Sequence, residues 1–439
     1  MMEKRFLFWR SFLALSFAVV LPLLVPPGLG AQTTPEKTEA RLKALEERLR
    51  ELEAELEQLK AAAGQPPADQ PTATPAAPGG PVTTVAAPVG VPQGPTGQLP
   101  VYGGASALAK ILNPDIGIIG QFTGAVGRNR VNPVPALSLQ ESEVSLRAIV
   151  DPFARADFFL AIGEEGIEVE EGYLTFPALP GGFLLKVGKM RAAFGRQNQW
   201  HNHSLPWVDR PLVAFSLLGG ELDEPDTGIK DAGFSLSRLL PAPGGIFLEA
   251  TAEIFRGDSG TLFQSSRRSD VAVVSHLRSF SDLSESTNLE VGGSYARGHN
   301  DSGLELGGDF VTRVFGFDAT LRWKPLRGTR YRSFILRTEL TWSRRQDPLA
   351  TQRAFGYFTS ADYQLSRRWF AGGRYDWSER GANADQHDSG GSVILTFWPS
   401  EFNAIQGQLR RTRFAEGETA NEFLFRFVYV LGAHGAHPF

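Results

Sequence analysis

The chain has 439 residues, a formal net charge of −4 and no cysteine. The small net charge argues against nucleic acid as a partner, and the lack of cysteine excludes disulfides, thiolate metal sites and cysteine nucleophiles. The 31 Phe, 8 Tyr, 8 Trp and 47 Gly, with a mean hydropathy of −0.16, favour many strands and tight turns over a bundle of membrane helices.

The N-terminus has the pattern of a secretory signal peptide. Lys4 and Arg5 precede an apolar stretch over residues 11–25, and small residues surround Ala31. A membrane anchor is the alternative, but the apolar stretch is short and Pro22 interrupts it. We therefore expect residues 1–31 to be removed on export.

Residues 36–63 predict a short coiled coil. Leucines from Leu42 to Leu59 alternate at spacings of three and four residues, which is the a/d pattern of a heptad repeat. The g and following e positions carry charges of opposite sign, which favours parallel strands, whereas leucine at both a and d leaves the oligomer number open. A solitary amphipathic helix is the alternative, although so short a helix is marginal alone.

Residues 64–100 predict an extended linker. They contain ten prolines among Ala, Thr, Gly and Gln, with almost no aromatic or charged residues. Such a composition cannot form a core and favours polyproline II, with a rise of ~3.1 Å per residue. The linker would hold the coiled coil at a distance from the remaining chain.

Residues 110–439 predict an antiparallel transmembrane β-barrel of about sixteen strands. Segments of about ten residues alternate in polarity and are separated by turn residues, and the apolar faces end in aromatics, as in strands that face lipid. A β-sandwich or propeller is the alternative, but neither needs Trp and Tyr at strand ends. We expect Arg at Leu336 to impair assembly and Arg at Thr341 to be tolerated. The predicted lipid-facing residues are Phe315, Phe317, Leu321, Phe334, Leu336, Leu340, Phe423, Phe425 and Phe427.

The opposite faces of the same strands carry charges of both signs. A lumen lined by alternating signs would have a strong transverse field without a large preference for either ion. The predicted lumen-facing residues are Arg322, Arg337, Arg374, Arg410, Arg426, Asp318, Glu339, Asp362 and Asp376.

Two motifs carry a resemblance to a known family. The segment Tyr173-Leu-Thr-Phe176, followed by the Gly-Lys strand of residues 183–195, resembles the phosphate-selective porin O/P family. The order of signal peptide, leucine heptads and Pro/Ala linker before a barrel resembles trimeric porins with periplasmic coiled coils. The resemblance implies an anion-selective pore whose constriction holds Lys186, Lys189, Arg191 and Arg196. The acidic residues on the predicted lumen face depart from the arginine ladder of that family.

The longest stretch without strand alternation covers about residues 189–227. A loop of this length predicts a function, and we expect it to fold into the barrel as a constriction that includes Asp209 and Arg210. An extracellular flap is the alternative. The lack of acidic residues between Phe183 and Val208 predicts a locally positive constriction.

The same loop contains two candidates for other chemistry. His201 and His203, with Asp209 nearby, have the spacing of a metal site, and Ser204 beside them suggests a hydrolase. Histidines in a polar loop more often form local hydrogen bonds, and no oxyanion motif accompanies the serine. We therefore expect no enzyme activity, no cofactor and no metal. A receptor or a metal-uptake barrel that uses this loop, and a hydrolase, are the alternatives.

Together these patterns predict an outer-membrane porin. We expect passive diffusion of small polar solutes with a weak preference for anions, a barrel in contact with outer-membrane lipid, and a homotrimer held by the coiled coil in the periplasm.

Overall fold

The computed structural model describes residues 114–164, 166–220, 227–302, 309–325 and 331–432. The predicted signal peptide, coiled coil and linker lie outside the described residues. None of the helices formed by the described residues is long and apolar enough to cross a membrane.

Sixteen antiparallel strands form one closed barrel in which every strand pairs with its neighbours in sequence and β1 pairs with β16. This confirms the predicted barrel and its strand number. The strands are β1 (Asp115–Arg128), β2 (Leu137–Asp151), β3 (Ala154–Gly163), β4 (Gly166–Leu179), β5 (Phe183–Arg191), β6 (Lys230–Leu240), β7 (Phe247–Phe255), β8 (Ala272–Ser284), β9 (Thr287–His299), β10 (Val311–Trp323), β11 (Phe334–Gln346), β12 (Thr351–Gln364), β13 (Trp369–Arg380), β14 (Asn383–Ser400), β15 (Asn403–Arg413) and β16 (Thr419–Gly432).

The alternation of polarity in the sequence becomes an alternation of burial in the strands. On β10, Phe315 and Phe317 are exposed on the outside, whereas Asp318 and Thr320 are buried on the inside. Successive side chains of a strand point to opposite faces. Each strand therefore presents one apolar face to the outside of the barrel and one polar face to its inside. Strand β14 begins at Asn383, where a polar stretch continues the ladder with β13 across a bulge.

The connections differ between the two ends of the barrel. One end has short turns, such as residues 152–153 between β2 and β3, and the other has the longer loops. The β5–β6 loop occupies residues 192–229, not 189–227 as predicted, because strand pairing continues to Arg191. It contains two single-turn 3-10 helices and α1 (Leu212–Leu217). We call it the inner loop, because it packs against the inner wall.

Two hydrophobic clusters hold the inner loop against two separate parts of the wall. Its two ends pack through Phe194 and Ile229 on apolar side chains of β7 to β10, and its middle packs through Trp207 and Leu217 on β12 and β14. Apolar burial of this kind stabilises the docked loop. The lumen is therefore partly filled by a second, internal core that strand alternation does not predict.

Candidate functional site

The first turn of the inner loop is held by its backbone. The N–H groups of Arg196 and Gln197 donate to Glu339 Oε1 at 3.0 and 2.6 Å, and the N–H of Gly195 donates to Ser294 Oγ at 2.9 Å. Gly195 has φ +59°, and a Cβ there would lie 2.7 Å from Glu339 Oε2. A glycine is therefore required where the chain turns away from the wall toward the lumen.

Asp209 connects the middle of the loop to the far wall. Its Oδ1 lies 3.0 Å from Arg374 Nη2 on β13, and its Oδ2 lies 2.6 Å from Arg410 Nη1 on β15, while Gln408 Nε2 donates to Oδ1 at 2.6 Å. Burial alone would raise the pKa of Asp209, but the two guanidinium groups hold it at about 2. We call Asp209, Arg374 and Arg410 the arginine anchor.

Trp207 supports this anchor from one side. Its side chain is fully buried, its ring meets Phe358 edge-on at 5.2 Å, and the Arg374 guanidinium carbon lies 4.9 Å from the ring centroid. Edge-on aromatic and cation–π contacts add to the area that the indole buries. The position of Arg374 is thus fixed by both charge and packing.

The opposite side of the loop faces an acidic part of the wall. His201 Nδ1 lies 2.9 Å from Oε2 of both Glu143 and Glu170, and His203 Nδ1 lies 3.3 Å from Glu143 Oε2. Glu141 completes the group, which we call the histidine cluster. Burial alone would lower the pKa of His201, but the surrounding carboxylates, Glu170 first, raise it well above its usual value.

A second layer of contacts fixes the histidine cluster. His201 Nε2 lies 2.9 Å from Glu171 Oε2, and the backbone N–H of Arg191 donates to the other oxygen of Glu171 at 2.7 Å. Arg191 Nη2 donates to Glu170 Oε1 at 3.1 Å, so the other oxygen of Glu170 is left facing His201. Both the imidazole and its carboxylate neighbours are therefore oriented from outside the cluster.

Buried arginines also bind the backbone of the loop. Arg426 on β16 donates to the carbonyls of Asn202 and Leu205 at 2.8 and 2.5 Å. Arg210 donates to the side-chain oxygen of Asn202 at 2.9 Å and to the carbonyl of Trp200 at 2.6 Å. These charge-assisted bonds hold the segment between the two 3-10 turns in one conformation.

A third group of charges lies toward the end of the barrel that carries the short turns. Arg196 from the loop and Arg322 from β10 contact the two oxygens of Glu290 at 3.0 and 3.1 Å, and Arg278 from β8 lies 3.9 Å away. We call Arg196, Arg278 and Arg322 the arginine triad. Each of these side chains is about 30% exposed, so the triad combines positive charge with access to the lumen.

The structure separates the residues that were predicted to form the constriction. Lys186 lies on the inner face, with its Nζ 4.5 Å from the Tyr173 ring centroid, whereas Lys189 lies on the outer face and contacts the exposed Glu168 at 3.0 Å. Arg191 and Arg210 are buried, in contact with Glu170 and with loop carbonyls. Among the predicted cations, Arg196 and Lys186 remain at the inner surface.

The predicted lumen-facing residues lie on the inner face. Several contact the inner loop directly: Glu339 accepts its N–H groups, Asp376 accepts the N–H of Leu212, and Arg337 lies over the Trp200 ring. The remaining members are placed on that face by their partners. The ion pairs are Arg322 with Glu290, Asp362 with Arg337, and Arg374 and Arg410 with Asp209. Arg426 donates to the loop carbonyls, and Asp318 lies opposite Glu339 in the strand register.

The side chains that complete these sites come from strands distant in sequence. The sequence analysis did not single out Glu170, Glu171, Glu290 or Arg278. The motif Glu168-Val-Glu-Glu171 was a signal, since consecutive carboxylates on a barrel strand need partners or solvent. The sequence does not show how the inner loop folds to bring His201 next to these carboxylates.

The candidate chemistry of the loop differs from its expected form. Asp209 belongs to the arginine anchor and does not lie with His201 and His203, so the metal candidate considered from their spacing is not formed with Asp209. Ser204 Oγ donates to the carbonyl of His201 at 2.8 Å, a local turn bond. The carboxylates beside the two histidines are glutamates of β2 and β4.

A cavity of about 540 Å³ lies between the inner loop and the wall. Side chains from β1 to β3 and from β15 line it together with loop residues. Its lining includes Glu141 and Asn202 beside the histidine cluster, and Asp209 and Arg410 of the arginine anchor.

Comparison with solved structures gives low sequence identity but extensive coverage. The OprB structure from Pseudomonas putida at high pH has a TM-score of 0.50 and 10% identity, covering 73% of this chain and 94% of that chain. The chain has a porin-type barrel fold. An anion-selective porin from Comamonas acidovorans aligns with a TM-score of 0.49 and 13% identity, covering 72% of this chain and 98% of that chain.

Sequence comparison adds a relative without an assigned role. An uncharacterized protein from Aquifex aeolicus strain VF5 is 28% identical over 393 residues, which covers 75% of this chain and 81% of that protein. No family model matches the chain. The phosphate-selective porin O/P resemblance therefore remains a prediction.

Proposed function

We propose that the protein is an outer-membrane porin through which small polar solutes diffuse, with a weak preference for anions. The observation that carries this proposal is the arginine triad, in which three guanidinium groups meet two carboxylates: all three contact Glu290, and Arg278 also contacts Glu249 at 3.4 Å. Arginine stays charged at any relevant pH and presents planar donors, so such a group attracts anions.

The charges that we propose to select anions differ from those that the sequence predicted. In the sequence the positive constriction comprised Lys186, Lys189, Arg191 and Arg196. Ion pairing and burial take Arg191 out of reach of solutes, and strand parity takes Lys189 to the outside. The triad, together with Lys186, offers accessible positive charge on the inner face instead.

Reversal potentials in asymmetric KCl test this assignment. Replacing Arg196, Arg278 and Arg322 by Gln should shift the reversal potential toward cation preference. A matched control replaces three exposed cations of the outer face, Lys189, Arg344 and Arg353, by Gln. The proposal fails if both triple variants give the wild-type potential, or if the wild-type barrel conducts no ions.

We further propose that the protein works as a homotrimer whose coiled coil at residues 36–63 lies in the periplasm. The leucine heptads and the opposite charges of their g and e positions support association in parallel. Deleting residues 36–63 should lower the oligomer mass in detergent or release the protein from a periplasmic partner, with the pore still open. An unchanged mass and unchanged envelope attachment would contradict this role.

A further inference from the structure

The histidine cluster has the composition and geometry of a metal site. Two trios of side chains, Glu143 with Glu170 and His201, and Glu141 with Glu143 and His203, have ligand atoms within 4.8 Å of one another. Glu143 belongs to both. All five donors are oxygen or imidazole nitrogen, and imidazole among them favours Zn²⁺ or a similar transition ion over Ca²⁺ or Mg²⁺.

The cluster contains buried polar atoms without hydrogen-bond partners among the described residues. These are Oε1 of Glu141 and Oε2 of Glu143 and Glu170, which belong to residues with 5%, 2% and 1% exposure. A buried carboxylate oxygen without a partner is costly. Two of them, on Glu143 and Glu170, face the same His201 Nδ1 at 2.9 Å, and two carboxylate oxygens beside one imidazole nitrogen indicate a bound cation.

The contacts of His201 are those of a ligand and not of a hydrogen-bond donor. Its Nδ1 lies 2.9 Å from two carboxylate oxygens but has hydrogen-bond geometry to neither. A proton on Nδ1 is directional and serves one acceptor well. An ion bound at ~2.0–2.2 Å with tetrahedral angles holds its ligand atoms about 3.3–3.6 Å apart, so each 2.9 Å contact needs to lengthen by only about half an ångström to admit an ion.

The second layer has the arrangement that orients metal ligands. Glu171 Oε2 lies 2.9 Å from His201 Nε2, and this contact turns Nδ1 toward Glu143 and Glu170. A carboxylate that accepts the distal N–H of a ligating histidine fixes its tautomer and ring orientation. Arg191 occupies the outer oxygen of Glu170, so the inner oxygen is the one available to an ion.

We propose that Glu143, Glu170 and His201 bind one Zn²⁺-class ion, flanked by Glu141 and His203, and that this ion joins the inner loop to β2 and β4. The 540 Å³ cavity beside Glu141 supplies the entry path. The ion is resident and not a transported solute, because its ligands come from both the loop and the wall and are buried together.

Metal content of the full-length protein in detergent tests this site. Wild-type protein stripped with EDTA, loaded with Zn²⁺ and passed over a chelating resin should retain one ion per chain. The variants Glu143→Gln and His201→Asn should retain almost none, and Glu171→Gln should bind Zn²⁺ ~10–100-fold more weakly because only the second layer is lost. Heat-modifiable migration on gels shows whether each variant is folded.

Two controls separate this site from other binding. The trio Asp270, His299 and Asp309, of which Asp309 is exposed, is the other candidate cluster among the described residues, so His299→Gln with Asp309→Asn should keep the full ion content. Zinc K-edge absorption on wild-type protein, which needs no variant, should show imidazole nitrogen and carboxylate oxygen at ~2.0–2.2 Å. Wild-type protein without retained Zn²⁺, or a spectrum without imidazole, overturns the proposal.

Discussion

The inner loop is attached to the barrel in two regions, and the signs of the loop and wall charges are reversed between them. In the arginine anchor one loop carboxylate, Asp209, meets two wall guanidiniums. In the histidine cluster two loop imidazoles meet several wall carboxylates, and some carboxylate oxygens have no hydrogen bond within the described chain. The first region is complete with protein groups alone, whereas the second calls for an additional cation. The difference teaches that one loop can be fixed by a permanent contact and by an exchangeable one.

The largest effect is expected from removing the packing behind the arginine anchor. Trp207→Ala should destabilise the docked loop by ~3–5 kcal/mol, because a fully buried indole is lost and a cavity remains. Single-channel recordings should show larger and noisier conductance, with faster protease cleavage of the loop. Trp207→Phe keeps a ring against Phe358 and should lie much closer to wild type, and equal effects of the two variants would contradict a packing role.

Breaking the charge of the same anchor should have a somewhat smaller effect. Asp209→Asn should cost about 2 kcal/mol, less than the ~3–5 kcal/mol typical of a broken buried pair, because Arg374 keeps Asp376 and Arg410 keeps Glu422. Addition of Zn²⁺ should not rescue this variant, whereas it should stabilise the wild-type loop. Rescue of Asp209→Asn by Zn²⁺ would show that the two regions are not separate.

Acid should release the arginine anchor in a defined pH range. The folded pKa of Asp209, about 2, lies below its ordinary value of 3.8, so the stabilisation is present above pH 4 and is lost as pH falls toward 2. A difference of about two units corresponds to roughly 2 to 3 kcal/mol. Conductance noise should therefore rise more between about pH 4 and pH 2 in the wild type than in Asp209→Asn.

The smallest effect is expected from an ion pair away from the loop. Arg380 contacts Glu416 at 2.6 Å, and both side chains are solvent-accessible. Glu416→Gln should change stability by less than ~1 kcal/mol and leave the conductance unchanged, because exposed pairs are screened. A conductance change as large as that of Asp209→Asn would show that the loop does not depend on its own contacts alone.

The barrel could be predicted from the sequence because lipid imposes a simple rule on each strand. On β10 every second side chain must be apolar, so Phe315, Phe317 and Leu321 define the outer face without knowledge of any neighbour. The strand number then follows from counting such segments. Residue parity also carried information that the sequence analysis did not use, since Lys186 and Lys189 are three positions apart and must lie on opposite faces of β5.

The inner site could not be predicted because it depends on the path of a loop without periodicity. Alternation assigns Glu141 and Glu143 to the lumen but does not say which residues face them across it. The stretch from Phe183 to Val208 has no acidic residue, yet it lies among Glu170, Glu290 and Glu339.

Because the inner loop fills part of the lumen, one expectation about which substitutions the inner face tolerates is not met. Thr341 was expected to accept Arg because it faces the pore, but it is only 2% exposed. An inserted arginine there would meet the packed interior, so a polar inner face does not imply a free one.

Asn202 has a consequence for how the barrel closes. Its side-chain amide donates to Glu141 on β2 at 3.4 Å, and its carbonyl accepts from Arg426 on β16 at 2.8 Å. These two strands flank β1, whose pairing with β16 joins the first and last strands and closes the barrel. A loop residue that binds both sides of that seam would act as a template during assembly, so that the first and last strands meet around an insert already in place.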